Sequence, residues 1–183
     1  MVYRNHMIRT NELEGKRILF VKEILQFIIK DEPYGYFDEM AMHSFLTIKK
    51  AWSYEDTPVE TPVNSGNRLK LSVYGTISNI LPKPHFGYGY KPTNGEDALA
   101  YFKILKEEVE KYTDKKMHLI LDNHAAHKSR LYGTKQYLEE NFHIHWMVPG
   151  TPQLNSIETF WSVFKRRFKK LLMLIPLLHW TQS

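Results

Sequence analysis

The chain has 183 residues, with 25 lysines and arginines against 20 aspartates and glutamates, a formal charge of +5. Hydrophobic residues make up 43% and charged residues 25%, the balance of one folded domain and not of a disordered chain. Cysteine is absent, which excludes disulfides, thiolate metal sites and cysteine nucleophiles and fits a reducing compartment.

The charge is uneven. Residues 1–100 carry 12 basic and 12 acidic residues, and residues 101–183 carry 13 and 8. Five of the cations fall between Lys165 and Lys170. A basic stripe on a neutral body fits a polyanionic partner such as nucleic acid, and also fits a plain solvated helix face. The longest apolar run, Leu171 to Leu178, contains Pro176 and falls far short of the ~20 residues that span a bilayer. The first residues lack the apolar core of an export signal, so the expectation is a cytoplasmic protein with no membrane partner.

In chain order, residues 12–30 place Ile18, Val21, Leu25, Ile28 and Ile29 near helical spacing, and Asp31-Glu32-Pro33 stops that helix. Tyr34 to Phe37 reads as a short strand that ends at Asp38-Glu39. His43 to Trp52 is a candidate second strand, 55–67 a loop, and 68–78 an alternating strand. Residues 82–95 contain three prolines and three glycines and read as a loop. Helical period returns over 96–112, through Leu99, Phe102, Leu105 and Val109. Residues 117–121 form an apolar strand that ends at Asp122-Asn123. A helix over 129–140, a strand over 143–148 and a final helix over 155–172 complete the pattern. Early strands followed by alternating strands and helices predict an α/β fold with a mixed sheet flanked by helices. The expected organisation is a helical lead-in over 1–33, a main α/β domain over 34–172 and a short tail over 173–183.

Three acidic residues stand out by position. Asp38 and Asp122 end strands, and Glu158 lies in the first turn of the last helix. Strand ends and helix starts gather at one rim of such a sheet, where sites are built. Carboxylates brought together there repel one another unless cations intervene, and Mg²⁺ and Mn²⁺ prefer such oxygen ligands. Asp38 alone is nearly uninformative, and Glu39 beside it could swap roles with it; the other two have local explanations. Glu158 follows Asn155 at capping-box spacing, and Asp122 can seed a turn with Asn123. His124 and His127 have the spacing of a metal pair, but with no cysteine or third nitrogen ligand nearby they read as residues that line the site, contact phosphate or pack.

The order of the parts adds a stronger signal. The stretch His118-Leu119-Ile120-Leu121-Asp122-Asn123-His124-Ala125-Ala126-His127-Lys128 resembles the strand-Asp-Asn-Ala element of mariner-like DDE transposases and their bacterial insertion-sequence relatives. Val148 to Trp161, with Pro149, Pro152, Leu154, Asn155, Ile157 and Glu158, resembles their Pro-x-Leu-Asn-Pro-Ile-Glu element. Tyr36-Phe37-Asp38-Glu39 resembles the first one. Between Asp122 and Glu158 lie 35 residues, close to the family's spacing.

The resemblance implies an RNase H-like fold and an Asp38, Asp122, Glu158 triad that is both catalytic and metal-binding, holding two Mg²⁺ or Mn²⁺ ions. It implies cleavage and joining of double-stranded DNA at transposon ends and target, by a homodimer. Lys128, Lys165, Arg166, Arg167, Lys169 and Lys170 are the expected DNA-binding residues. Glu39, Asn123, His124, His127 and Asn155 are the expected lining residues. Residues 1–33 are too short for the helix-turn-helix modules of the family, which leaves three expectations open: the second half of a split reading frame with those modules on a separate subunit, a fragment, or a decayed copy. Two alternatives stay open on the sequence: an inert transposase remnant that binds DNA or regulates an intact partner, and an RNase H-like nuclease without joining activity.

Overall fold

The computed structural model describes residues 11–43, 70–90 and 94–179. Its elements are α1 (Asn11–Ile29), β1 (Tyr34–His43), β2 (Lys70–Ser78), β3 (His85–Gly89), α2 (Gly95–Val109), β4 (His118–Leu121), α3 (Thr134–Asn141), β5 (His143–Trp146), a 3₁₀ turn (Pro152–Leu154) and α4 (Ser156–His179). The strands form one mixed sheet in the order β3-β2-β1-β4-β5. β1, β2 and β3 pair antiparallel, and β4 and β5 join β1 in parallel.

Strand alternation sorts the side chains into two layers. Phe37, Leu119 and Leu121 point to the face covered by α2 and α3, where they meet Phe102, Leu105 and Leu138. The opposite face carries two clusters. Ile120 and Met147 pack on Phe20, Ile24 and Phe27 of α1. Met40, Met42 and Val73 pack on Ile157 and Trp161 of α4. The architecture is thus a mixed sheet flanked by four helices, as the alternating pattern predicts.

Several local expectations change. β1 does not stop at Phe37 but runs to His43, because β2 pairs with it through His43↔Lys70. Its parallel partner β4 pairs only with Tyr34, Gly35 and Tyr36. Asp38 therefore lies inside a strand, just past the point where one of its two neighbours ends. The expected strand over 43–52 lies outside the described residues, apart from His43, which closes β1. Within the expected loop 82–95, β3 pairs with β2 from Thr76↔His85 to Ser72↔Gly89. Its glycines and the preceding proline are tolerated because β3 is an edge strand.

The buried face of α1 is also shifted. Phe20, Ile24 and Phe27 face the sheet, whereas Ile18, Leu25 and Ile29 are exposed. Apolar residues surround this helix, so their period alone does not select the side on which the two phenylalanines dock. α3 begins at Thr134, not at 129, since Gly133 takes φ +68° and interrupts the helical backbone. α4 crosses the expected boundary at residue 172 and passes Pro176 to reach His179. Among the described residues no helix is long and apolar enough to cross a membrane.

Candidate active site

The sheet register brings the first two acidic residues together. β1 and β4 run parallel with Tyr36 beside Ile120. Two residues further on come Asp38, still in β1, and Asp122, the first residue after β4. Both lie on the α1/α4 face of the sheet. α4 starts beneath the same rim and presents Glu158 in its first turn. All three acidic residues line one cavity of about 380 Å³. Asn123, His124 and Asn155 line it too, with the segment from Met147 to Pro152 as its far wall.

The electrostatics record this convergence. Burial, followed by the charges of Glu158, Glu39 and Asp122, pushes the Asp38 carboxyl up to about 7. Asp122 behaves in the opposite way. Burial pushes it up, but a hydrogen bond from His127 and one from the His124 backbone outweigh burial and hold it below the ordinary carboxylate range. Two neighbouring carboxylates with opposed tendencies mark a site where charge is managed.

Both aspartates are held by buried donors. The Trp161 indole Nε1 donates to Asp38 Oδ2 at 3.0 Å. His127 Nδ1 lies 3.1 Å from Asp122 Oδ1, and His127 Nε2 lies 2.7 Å from Glu39 Oε1. Burial opposes the charge on this imidazole, but the two carboxylates prevail and raise it to about 9, so at neutral pH it is an imidazolium that donates on both sides. The His124 N–H also donates to Asp122 Oδ1 at 3.0 Å, which completes the turn expected at Asp122-Asn123.

The capping-box expectation for Asn155 and Glu158 is met only by the backbone. Glu158 N–H donates to the Asn155 carbonyl at 3.0 Å. The Asn155 side-chain Oδ1 is buried and has no hydrogen-bond partner among the described residues. Asn123 Nδ2 donates to the Met147 carbonyl at 2.6 Å and pins the far wall of the cavity to β4. Lys128 reaches Asn123 Oδ1 and lies 4.5 Å above the Trp146 ring, at the cavity's edge and not inside it. Lys165, Arg166, Arg167 and Lys170 are exposed and Lys169 is half-buried, about 10–18 Å along α4 from Glu158. None of the five pairs with a carboxylate of the described residues.

One contact escapes a reading of the sequence, and one expected residue takes a different place. Trp161 belongs to the core, as its helical spacing indicates, yet it also touches Asp38. The only signal is its position three residues after Glu158, on the same helix face. Glu39 is the expected residue. It joins His124 and His127 in a group whose ligand atoms all lie within 4.8 Å of one another, the third member that the His-x-x-His pair lacks in sequence.

The donor set fits a hard divalent cation. Three carboxylates line one cavity, burial and their repulsion raise Asp38, and Asn155 Oδ1 is a further acceptor in the wall with no partner among the described residues.

A family model described as DDE superfamily endonuclease matches residues 33–174. Among solved structures, the chain is similar to the Mos1 transposase paired-end complex with left transposon end, at 11% identity and a TM-score of 0.67, over 91% of this chain and 52% of that one. It is similar to the catalytic domain of Mos1 mariner transposase at 14% identity and a TM-score of 0.54, over 92% and 74%. It is also similar to a Mos1 mariner paired-end complex with Mn, at 17% identity and a TM-score of 0.55, over 84% and 48%. The chain thus spans about half the length of the transposase in the paired-end complexes. A comparison with curated proteins finds no match. The shared fold is RNase H-like, as expected.

Proposed function

The chain belongs to the DDE superfamily endonucleases, and we propose that it is the catalytic domain of a transposase that cuts and joins DNA. The observation that carries this reading is one cavity lined by Asp38, Asp122 and Glu158, with Asp38 raised by burial and by the charges around it. In this reading the three carboxylates hold two Mg²⁺ or Mn²⁺ ions. When bound, such ions supply Lewis-acid activation of the attacking oxygen and neutralise charge on the scissile phosphodiester.

The protein's own residues do the rest. Asp38 and Asp122 converge from adjacent strands, and Glu158 closes the site from α4. His127 fixes one oxygen of Asp122, so the other faces the cavity in a constant orientation. Lys165, Arg166, Arg167, Lys169 and Lys170 grip phosphates without reading sequence. Lys128 adds a cation at the cavity's edge. A water attacks the phosphorus at the element end, and the 3′-oxygen leaves with a proton as a free hydroxyl. That hydroxyl then attacks a phosphodiester of the target, and a new strand joint forms as the target's own 3′-oxygen departs. The working unit in this proposal is a homodimer that acts in the cytoplasm on double-stranded DNA.

The test is Asp122→Asn on supercoiled plasmid with Mg²⁺. Nicking should be lost while DNA binding stays within about twofold. Full nicking by the variant would overturn the triad. Transfer of pre-cut ends into plasmid separates a transposase from a plain nuclease.

A further inference from the structure

We infer that Trp161 is the positioning residue for Asp38: its indole N–H fixes one carboxylate oxygen so that the other is presented to the cavity. The inference rests on the proposed metal-binding role of Asp38. An indole has a single donor, rigidly aligned with its ring, so wherever the ring is clamped the hydrogen bond is directed.

The ring is clamped from every side. Trp161 is 1% exposed. Phe86, Phe160 and Phe164 surround it, with ring centroids 5.9, 5.6 and 6.0 Å away. Beneath it lies Gly75, the residue of β2 paired with Asp38 itself. A Cβ at Gly75 would fall 2.5 Å from Trp161 Cη2 and 2.6 Å from Cζ2. A side chain at that position on β2 would displace the indole. Glycine leaves room for the ring against β2, from where Nε1 reaches Asp38 Oδ2, 3.0 Å away. Core packing alone would be served by any large apolar ring and would need no donor aimed at an acidic residue.

Donors that orient a metal-binding carboxylate in this way change metal affinity by about 10–100-fold when removed. The probe is Mn²⁺ alone, titrated into the full chain and followed by the paramagnetic resonance of the free ion. Trp161→Phe keeps a ring and deletes the N–H, and its Mn²⁺ dissociation constant should rise at least tenfold. A value within twofold of the parent in a folded variant overturns the inference. Should Trp161→Phe not unfold cooperatively, 3-benzothienylalanine at position 161 decides. It preserves the ring's shape with sulfur in place of N–H, and it should show the same weakening with an unchanged unfolding midpoint. Parent-like Mn²⁺ binding by this analogue likewise overturns the inference. Asp38→Asn separates the positioning role from the metal site itself. If it abolishes Mn²⁺ binding while the position-161 variants do not, only the positioning role falls. If it binds Mn²⁺ like the parent, the site reading beneath it falls.

Discussion

Asp38→Asn should stabilise the metal-free fold, and by an amount that depends on pH. Asp38 has an ordinary value near 4 when unfolded and about 7 in the fold. An acid whose value is raised by folding releases its proton first in the unfolded chain, so stability falls as pH climbs from about 4 to about 7 and then levels off. Three units correspond to about 4 kcal/mol, and screening through the open side of the cavity brings this to about 2–4 kcal/mol. Asparagine carries no such penalty, and its carboxamide oxygen can still accept from Trp161. The variant should therefore match the parent near pH 4 and unfold roughly 10 °C higher at pH 7.5 in EDTA. Mn²⁺ should reverse the ranking at pH 7.5, because it stabilises a chain with an intact carboxylate cluster and does little for the variant. Thermal unfolding followed by circular dichroism at pH 4, 5.5 and 7.5, with EDTA or Mn²⁺, measures both effects. A variant that is no more stable than the parent at pH 7.5, or one that Mn²⁺ stabilises equally, would show that Asp38 carries no such strain.

His127→Gln should lose stability in a complementary pH window. The imidazole is raised to about 9, so its contribution is complete below about 6.5 and vanishes as pH passes 9. The gap between parent and variant should be about 3 kcal/mol at pH 6.5 and shrink towards pH 10 in urea titrations. Gly75→Ala should cost about 1–3 kcal/mol by overpacking against Trp161, measured by the same titrations. Replacing Lys165, Arg166, Arg167, Lys169 and Lys170 by glutamine should lower the slope of log affinity for duplex DNA against log salt by about 4, read by fluorescence anisotropy. An unchanged slope would take DNA away from this face of α4.

The parts of the site that sit on continuous sequence are legible from residue order alone. Asp122 announces itself because an apolar strand of four residues ends beside it, and Glu158 because a helix begins there. Asp38 is marked by its residue type and neighbours, but its place inside β1 is not. The end of a strand is set by its partners, and the partner that extends β1 past Asp38 is β2, whose register the local sequence does not encode. β3 is hidden for a related reason: edge pairing to β2 overrides the turn propensity of its glycines. The Trp161–Asp38 and His127–Glu39 contacts span 123 and 88 residues. They depend on the packing of α4 under β2 and of the turn after β4 over β1, which no local pattern reports.

These two long-range contacts also explain how the fold tolerates its own active site. A sheet that stops one strand early beside Asp38 opens a gap, and the gap is what lets Glu158 and Asp122 approach. The same approach raises Asp38 and costs stability. His127, with no exposed side-chain surface, offsets part of that cost by carrying a positive charge between Glu39 and Asp122. It does so from the α2/α3 face, where Phe37 and Phe102 pack edge-on against its ring. Its charge thus neutralises Glu39 and Asp122 without filling the cavity. Among the described residues Asp38 has no cation of its own, only the neutral N–H groups of the Trp161 indole and the Glu39 backbone. The asymmetry leaves the uncompensated charge at Asp38, so a divalent cation entering the cavity gains most from that carboxylate.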